Sequence, residues 1–222
     1  MSSKQKVLVV FSCFNPPLCL MESITNFYKF QITNEDEYKI ICVDNDSKIT
    51  STYDLIQNQF PNVDILHFKN KNYEWGAYKY AYENFKDFDK YICLQDTIVI
   101  KQKIDISIVN ENKVYTAWHL SGFYSHYGLK NSKIRNRILK NVNLDVEPII
   151  NSAFCLAQHN TFIIDRKCLG LLFETLINPP IKKEDTNFYE RLYGMFFILK
   201  NIETVNLHPY IIKIPRKYRR YK

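Results

Sequence analysis

Val7-Leu8-Val9-Val10-Phe11, closed by Ser12, Asn15, Pro16 and Pro17, is the stretch on which the fold turns. An apolar run without polar alternation describes a strand covered on both faces, the kind found in parallel sheets sandwiched between helices. Tyr38 to Val43 and Tyr91-Ile92-Cys93-Leu94 repeat the design, the first ending at Asp44-Asn45-Asp46-Ser47 and the second at Gln95-Asp96-Thr97. Val63 to Phe68 is strand-like as well. Between these runs, Leu18 to about Phe30, Thr52 to Gln59 and Glu74 to Phe85 read as helices, the last with aromatic residues at helical spacing. This β-α-β-α-β-α-β order predicts an α/β fold with a mainly parallel, Rossmann-like sheet flanked by helices.

The second half reads less regularly. Lys113 to His119 is a predicted strand, Lys130 to Asn141 a basic surface helix, and Ala153 to Ala157 and Thr161 to Ile164 are strands around Gln158-His159-Asn160. Asp165 is expected to cap a helix running to about Leu176, which Asn178-Pro179-Pro180 ends. Glu184 to about Lys200 forms another helix, with acids in its first turn as the macrodipole favours. With 222 residues, no linker and no internal repeat, a single domain over residues 1–222 is expected.

Composition excludes several classes of function. At 46% hydrophobic and 24% charged residues the chain is too apolar for disorder, and no apolar run approaches the roughly 18 residues of a membrane span. Met1 to Lys6 leads straight into Val7 to Phe11, too short for a signal-peptide core and without a small-residue cleavage site, so a cytoplasmic location is expected. The five glycines (Gly76, Gly122, Gly128, Gly170, Gly194) never cluster, which argues against a P-loop, a dinucleotide fingerprint or a Rossmann methyltransferase. Six cysteines lack paired C-x-x-C spacing, so reduced, buried thiols are expected.

The formal charge of +7 has one source. Lys213, Arg216, Lys217, Arg219, Arg220 and Lys222 crowd the last ten residues; the remaining 24 basic residues nearly balance 23 acidic ones. Charge concentrated in one terminal segment argues against a nucleic-acid-binding face. That segment reads either as a solvated tail or as a peripheral contact with anionic lipid headgroups, worth about 1 kcal/mol per basic residue near such a surface.

In parallel sheets, ligands bind beyond the carboxyl ends of the strands. Here those ends read Ser12 to Asn15, Asp44 to Ser47 and Gln95 to Thr97. Asp and Asn after a strand also make Asx-turns or cap the next helix. Three such ends together favour a ligand site.

In order and spacing these pieces resemble the nucleotide-sugar glycosyltransferases of the GT-A fold, most closely the inverting family 2 type, over roughly residues 6 to 200. The resemblance rests on Phe11-Ser12-Cys13-Phe14-Asn15, Val43-Asp44-Asn45-Asp46-Ser47, Asn70-Lys71-Asn72-Tyr73-Glu74-Trp75-Gly76-Ala77, Leu94-Gln95-Asp96-Thr97, and an E-D-x-x-x-x-x-R-L segment at Glu184 to Leu192. It implies a nucleotide-binding half over about 1–100, an acceptor-binding half over about 101–210 and a basic tail at 211–222. It also implies transfer of a sugar from a UDP- or GDP-sugar to a saccharide or other hydroxyl acceptor.

By the same resemblance Asp44 binds base or ribose, with Ser12, Asn15 and Asn45 in the same pocket, and Gly76, Gln95 and Asp96 near the donor. Lys79, one helical turn after Gly76, either reaches the phosphates or is a solvated helix lysine. The family's acidic turn carries two acids for Mn2+ or Mg2+, whereas this turn offers Asp96 alone; His208 is the candidate second ligand. A single carboxylate can still hold such an ion if phosphate and water oxygens complete the octahedron. Asp185, with Glu184 beside it, corresponds to the general base that inverting transfer requires; the bland reading is that both cap their helix. The expectation is that Asp44, Asp96 and Asp185 converge on one rim of the sheet. Trp118, His119, Tyr124, His126 and Tyr127, near Gly122, suit either a saccharide acceptor or core packing. The alternatives are a nucleotide-sugar-binding protein without transferase activity and a membrane or nucleic-acid module built on the tail.

Overall fold

In a computed structural model, which describes residues 4–32, 36–69, 72–122, 136, 139, 142–149 and 151–215, β1 (Lys6–Cys13) lies within a seven-stranded sheet. It pairs in parallel with β2 (Glu37–Asn45) and β4 (Lys90–Gln95), and β2 pairs in parallel with β3 (Asp64–Phe68). Beyond β4 come β7 (Ala153–Asp165), β6 (Lys113–Gly122) and β8 (Glu203–Asn206), giving the order β3-β2-β1-β4-β7-β6-β8. β7 runs antiparallel to both of its neighbours, and β8 is parallel to β6. A separate ribbon joins β5 (Ile98–Ile100) to β9 (Ile211–Lys213). The α/β, mostly parallel architecture expected from the sequence is therefore present.

Every residue from Val7 to Phe11 has no exposed surface. Strand alternation sends Val7, Val9 and Phe11 to one face and Leu8 and Val10 to the other. The first set joins the core under α1 (Cys19–Asn26) and α2 (Ser51–Gln59). The second joins the core under α3 (Tyr73–Asn84), α4 (Arg166–Thr175) and α5 (Lys183–Leu199). Among the described residues no helix is long and apolar enough to cross a membrane, and all six cysteines are free thiols.

Several boundaries differ from expectation. The first helix changes to a π turn at Phe27–Gln31. Gln158-His159-Asn160 does not separate two strands: β7 runs through it as a bulge, with His159 and Asn160 at φ of 61° and 50° and a register break against β6 between Thr116 and Trp118. The short strands β5, β8 and β9 carry too few residues for a periodic signal, and β9 occupies the start of the segment read as a basic tail. Asp165 caps α4 as expected, accepting the Lys167 N–H at 2.7 Å. Of the helix expected over Lys130–Asn141, Asn136 and Leu139 are helical and the other residues lie outside the described ones, as do the tail cations Arg216, Lys217, Arg219, Arg220 and Lys222.

The seating of α5 on β7 leaves no room for a side chain at Gly194. A Cβ there would meet Cys155 O at 2.4 Å and Leu156 Cα at 3.1 Å, both backbone atoms. Gly194→Ala should therefore lower stability by about 1–3 kcal/mol despite the roughly 1 kcal/mol that Ala adds in helix propensity. Chemical denaturation reads the sign directly, and a stabilised variant would contradict this packing.

Candidate functional site

Parallel pairing brings the carboxyl ends of β1, β2 and β4 to one level, with Cys13 opposite Asp44 and Ser12 opposite Gln95. The chain winds from β1 toward β2 and β3 on one side and reaches β4 on the other. A crevice opens where that direction reverses. It contains a cavity of about 650 Å3, lined from β1 by Ser12, Cys13 and Phe14, from β2 by Asn45 and Asp46, and from β4 by Gln95 and Asp96. Its other walls come from Tyr73 and Glu74 at the start of α3, Lys183 and Thr186 in the first turn of α5, Lys48, Ile181 and Lys213.

The predicted site residues divide at this cavity. Ser12 and Asn45 meet on its wall, where Asn45 Nδ2 donates to Ser12 Oγ and to Cys13 O, both at 3.0 Å. Asp96 is buried there, accepting the Phe14 N–H on Oδ2 at 3.0 Å. Gln95 donates from Nε2 to Glu74 Oε1. Asn15 and Asp44 do not line the cavity but build the loops around it. Asn15 Oδ1 accepts the N–H groups of Lys48 (2.7 Å) and Ile49 (3.0 Å). Asp44 is buried, accepting the Ser47 hydroxyl and the Tyr53 hydroxyl (2.6 Å) on Oδ1 and the Ser47 N–H (3.2 Å) on Oδ2. For these two, the loop-building reading of a polar residue after a strand describes what the side chains do.

Gly76 and Lys79 lie elsewhere. A helix turns about 100° per residue, so Gly76 faces away from the cavity reached by Glu74. It lines a second cleft of about 350 Å3 with Lys79, Trp75 and Tyr80. There the Lys79 ammonium lies 3.7 Å from Glu83 and 5.2 Å from the Trp75 ring centroid. His208 is also absent from the main cavity wall. Its Nε2 sits 2.7 Å from the Trp118 carbonyl oxygen, which only accepts, so that nitrogen carries a proton. Asp185 is buried between the cavity-lining Lys183 and Thr186, and its Oδ2 accepts the N–H groups of Ile181 (3.0 Å) and Lys182 (2.9 Å). Glu184 occupies the same first turn of α5. Of the three carboxylates expected to converge, Asp96 alone lines the cavity; the segments bearing the other two do converge. In the aromatic group, Trp118 is partly exposed and lies with His119 on β6, while Tyr124, His126 and Tyr127 fall outside the described residues.

Sequence reasoning missed Phe14, Tyr73, Glu74, Lys183 and Lys213 as wall residues. Phe14 is half exposed, and Tyr73 is held at φ 55°, a left-handed conformation costly for a bulky side chain. The turns after β1 and β2 use the same region at Asn15 (47°) and Asp46 (62°), residue types that tolerate it better. Such outliers gather where a loop must present a side chain in one direction.

Electrostatics separates inert groups from titrating ones. Burial pushes the Cys13 thiol up, reinforced by Cys42, Asp96 and Asp44, so this wall cysteine is a protonated packing group. Beside the cavity, Glu190 lies one helical turn beyond Thr186, and its Oε1 accepts the His159 N–H of the β7 bulge at 2.9 Å. Burial raises the Glu190 carboxyl to about 7. Burial, then the charges of Lys213, His208 and His119, lowers the His159 imidazole to about 4.

Among the described residues no group of three or more His, Cys, Asp and Glu side chains is arranged to hold a metal ion. Neither a protein-family model nor a curated protein sequence matches this chain. The residues of the cavity therefore carry the functional reading by themselves.

Glu190 gives the fold a pH signature. An acid whose folded pKa lies above its unfolded value contributes full stability below the unfolded pKa and loses it as pH rises through the folded one. For Glu190 that window runs from 4.5 to about 7. Glu190→Gln keeps an acceptor for His159, so relative to the variant the parent chain should lose about 2–3 kcal/mol between pH 5 and pH 8. Urea midpoints across this range test it, and parallel profiles would contradict it.

Proposed function

We propose that this chain is a glycosyltransferase of GT-A type that takes a nucleotide-diphosphate sugar into the main cavity and transfers its sugar, with inversion, to a saccharide or other hydroxyl acceptor. The observation that carries the reading is the cavity itself: about 650 Å3 at the carboxyl ends of β1, β2 and β4, walled by the strand-end turns that the resemblance nominates and by the start of α5. That volume lies in the range of small-molecule sites, and its position is where α/β sheets bind ligands.

A nucleotide sugar makes three demands on such a wall. Its base needs a flat apolar surface, a role that suits Phe14 and Tyr73, and its ribose needs hydrogen-bonding partners, a role that suits Ser12 and Asn45, all four lining the cavity. Its diphosphate needs positive charge, and Lys48, Lys183 and Lys213 all line the cavity. As the acceptor hydroxyl oxygen attacks the anomeric carbon, the bond from that carbon to the diphosphate oxygen breaks, the nucleoside diphosphate leaves with the electron pair, and the hydroxyl must lose its proton. In this reading that proton goes to Asp185, at the entrance turn of α5.

One observation favours a second reading, a nucleotide-sugar-binding protein without transfer: the Asp185 carboxylate already holds the backbone at Ile181 and Lys182. Asp185→Asn separates the two, because an amide oxygen can still accept those N–H groups. Transfer should fall by about 10²- to 10⁴-fold while nucleotide-sugar affinity is kept. Unchanged turnover would remove Asp185 as the base, and binding without any product would favour the second reading.

The donor itself is named by a thermal-shift screen of UDP- and GDP-sugars with and without Mn2+. A ligand at a hundred times its Kd stabilises by about 2.7 kcal/mol, several degrees in Tm for a chain of this size. A uniform absence of shifts would overturn the proposal.

A further inference from the structure

Gln95-Asp96-Thr97 places a single acid between two neutral residues, and the fold sets a cation against both neighbours. Lys213 donates from Nζ to Gln95 Oε1 and, at 2.5 Å, to Thr97 Oγ1. It is half-buried and lines the cavity together with Asp96. Backbone pairing fixes its place: β9 runs antiparallel to β5 with Lys213 opposite Ile98, and the Ile214 N–H donates to Thr97 O at 2.9 Å. The other two cavity lysines lack such anchoring. Lys48 is largely exposed, 3.7 Å from Asp46, and Lys183 is exposed.

A magnesium or manganese ion at a diphosphate takes one or two carboxylates, with phosphate and water oxygens completing an octahedron. The protein supplies little of that octahedron here, since among the described residues no group of three His, Cys, Asp or Glu side chains is arranged to hold a metal ion. The Asp96 carboxylate is buried and accepts the Phe14 N–H, and Glu74 accepts the Gln95 amide on Oε1. The side-chain oxygens flanking Asp96 already receive an ammonium, against which a dication would be repelled. The His208 Nε2 is a donor to Trp118.

We propose that the Lys213 ammonium is the cation that binds the diphosphate, so that the site holds its nucleotide without a divalent metal. This rests on the reading of the cavity as a nucleotide-diphosphate-sugar site. A lysine ammonium is a compact charge with three donors and a common phosphate ligand. Its bonds to Gln95 and Thr97 run to uncharged oxygens and set its position beside the cavity, and a phosphate oxygen would add the attraction of a full negative charge. Gln95 links Glu74 of α3 to this lysine, so the turn, the helix and the ribbon are oriented together. The charge is also felt nearby, where it helps to hold the His159 imidazole down.

Isothermal titration of the full chain with UDP and GDP, and with uridine and guanosine, in EDTA and then in Mn2+, tests the proposal. For whichever diphosphate binds, Kd should agree within about threefold between the two conditions, a difference below 1 kcal/mol. Lys213→Met should weaken the diphosphate by roughly 10- to 100-fold, the factor expected for a charged hydrogen-bond donor, and leave the nucleoside unchanged. Lys213→Arg, which keeps the charge if Met disturbs the β5–β9 ribbon, should retain most of the affinity. Tenfold or greater tightening by Mn2+, or unaltered diphosphate binding in Lys213→Met, overturns the lysine assignment while leaving the nucleotide site intact. Failure of every nucleotide to bind the parent chain in both conditions overturns the nucleotide reading and this inference with it.

Discussion

A strand with no exposed side chain must be covered on both faces, and that requirement organises the molecule. β1 is enclosed by α1 and α2 on one face and by α3, α4 and α5 on the other, while its two edges pair with β2 and β4. Because those pairings are parallel, three strands end on the same side and at the same height. Their polar turns become neighbours although Ser12 and Gln95 are far apart in sequence. The crevice between them follows from the reversal of winding at β1.

What enters the crevice is then decided by period. In a strand, successive side chains point to opposite faces, so Asn45 reaches Ser12 on the cavity wall while Asp44 turns into the core beside Tyr53. On a helix the step is about 100° per residue, and Lys183 and Thr186 face the cavity while Asp185 folds back on Ile181 and Lys182. Acids in a strand-end turn or at a helix start thus have two destinations. A buried carboxylate that accepts backbone and hydroxyl donors stabilises the loop it belongs to, whereas Asp46 and Asp96 at the strand-end turns line the cavity.

The cavity wall carries both signs of charge. Asp46, Glu74 and Asp96 line it together with Lys48, Lys183 and Lys213. An anionic ligand entering there meets Lys213, bonded to Gln95 and Thr97, and the exposed Lys48 and Lys183. At its edge, the strained β7 bulge is tied to α5 through the His159 N–H and Glu190, and burial leaves that carboxyl titrating near neutrality.

Local pattern was enough for the architecture. The uninterrupted apolar runs at Val7–Phe11 and Tyr91–Leu94, the helical segments between strands, the Asp165 cap and the clustering of polar turns at strand ends were all legible, because each depends on neighbours a few residues away. The same reading nominated Ser12, Asn45, Gln95 and Asp96, which the cavity brings together. It could not tell that Asn15 and Asp44 build loops, since that depends on which hydroxyls and amides the fold delivers to them. Nor could it find Lys213, whose partners Gln95 and Thr97 lie 118 and 116 residues away, or see that Gly76 and Lys79 face a different cleft. Sequence alone determined that a sheet of this kind forms and which strand ends carry the polar turns around its cavity, because burial and periodicity are local properties. The tertiary structure alone decided which charges stand there, because long-range pairing sets the distance between groups that share no local sequence signal.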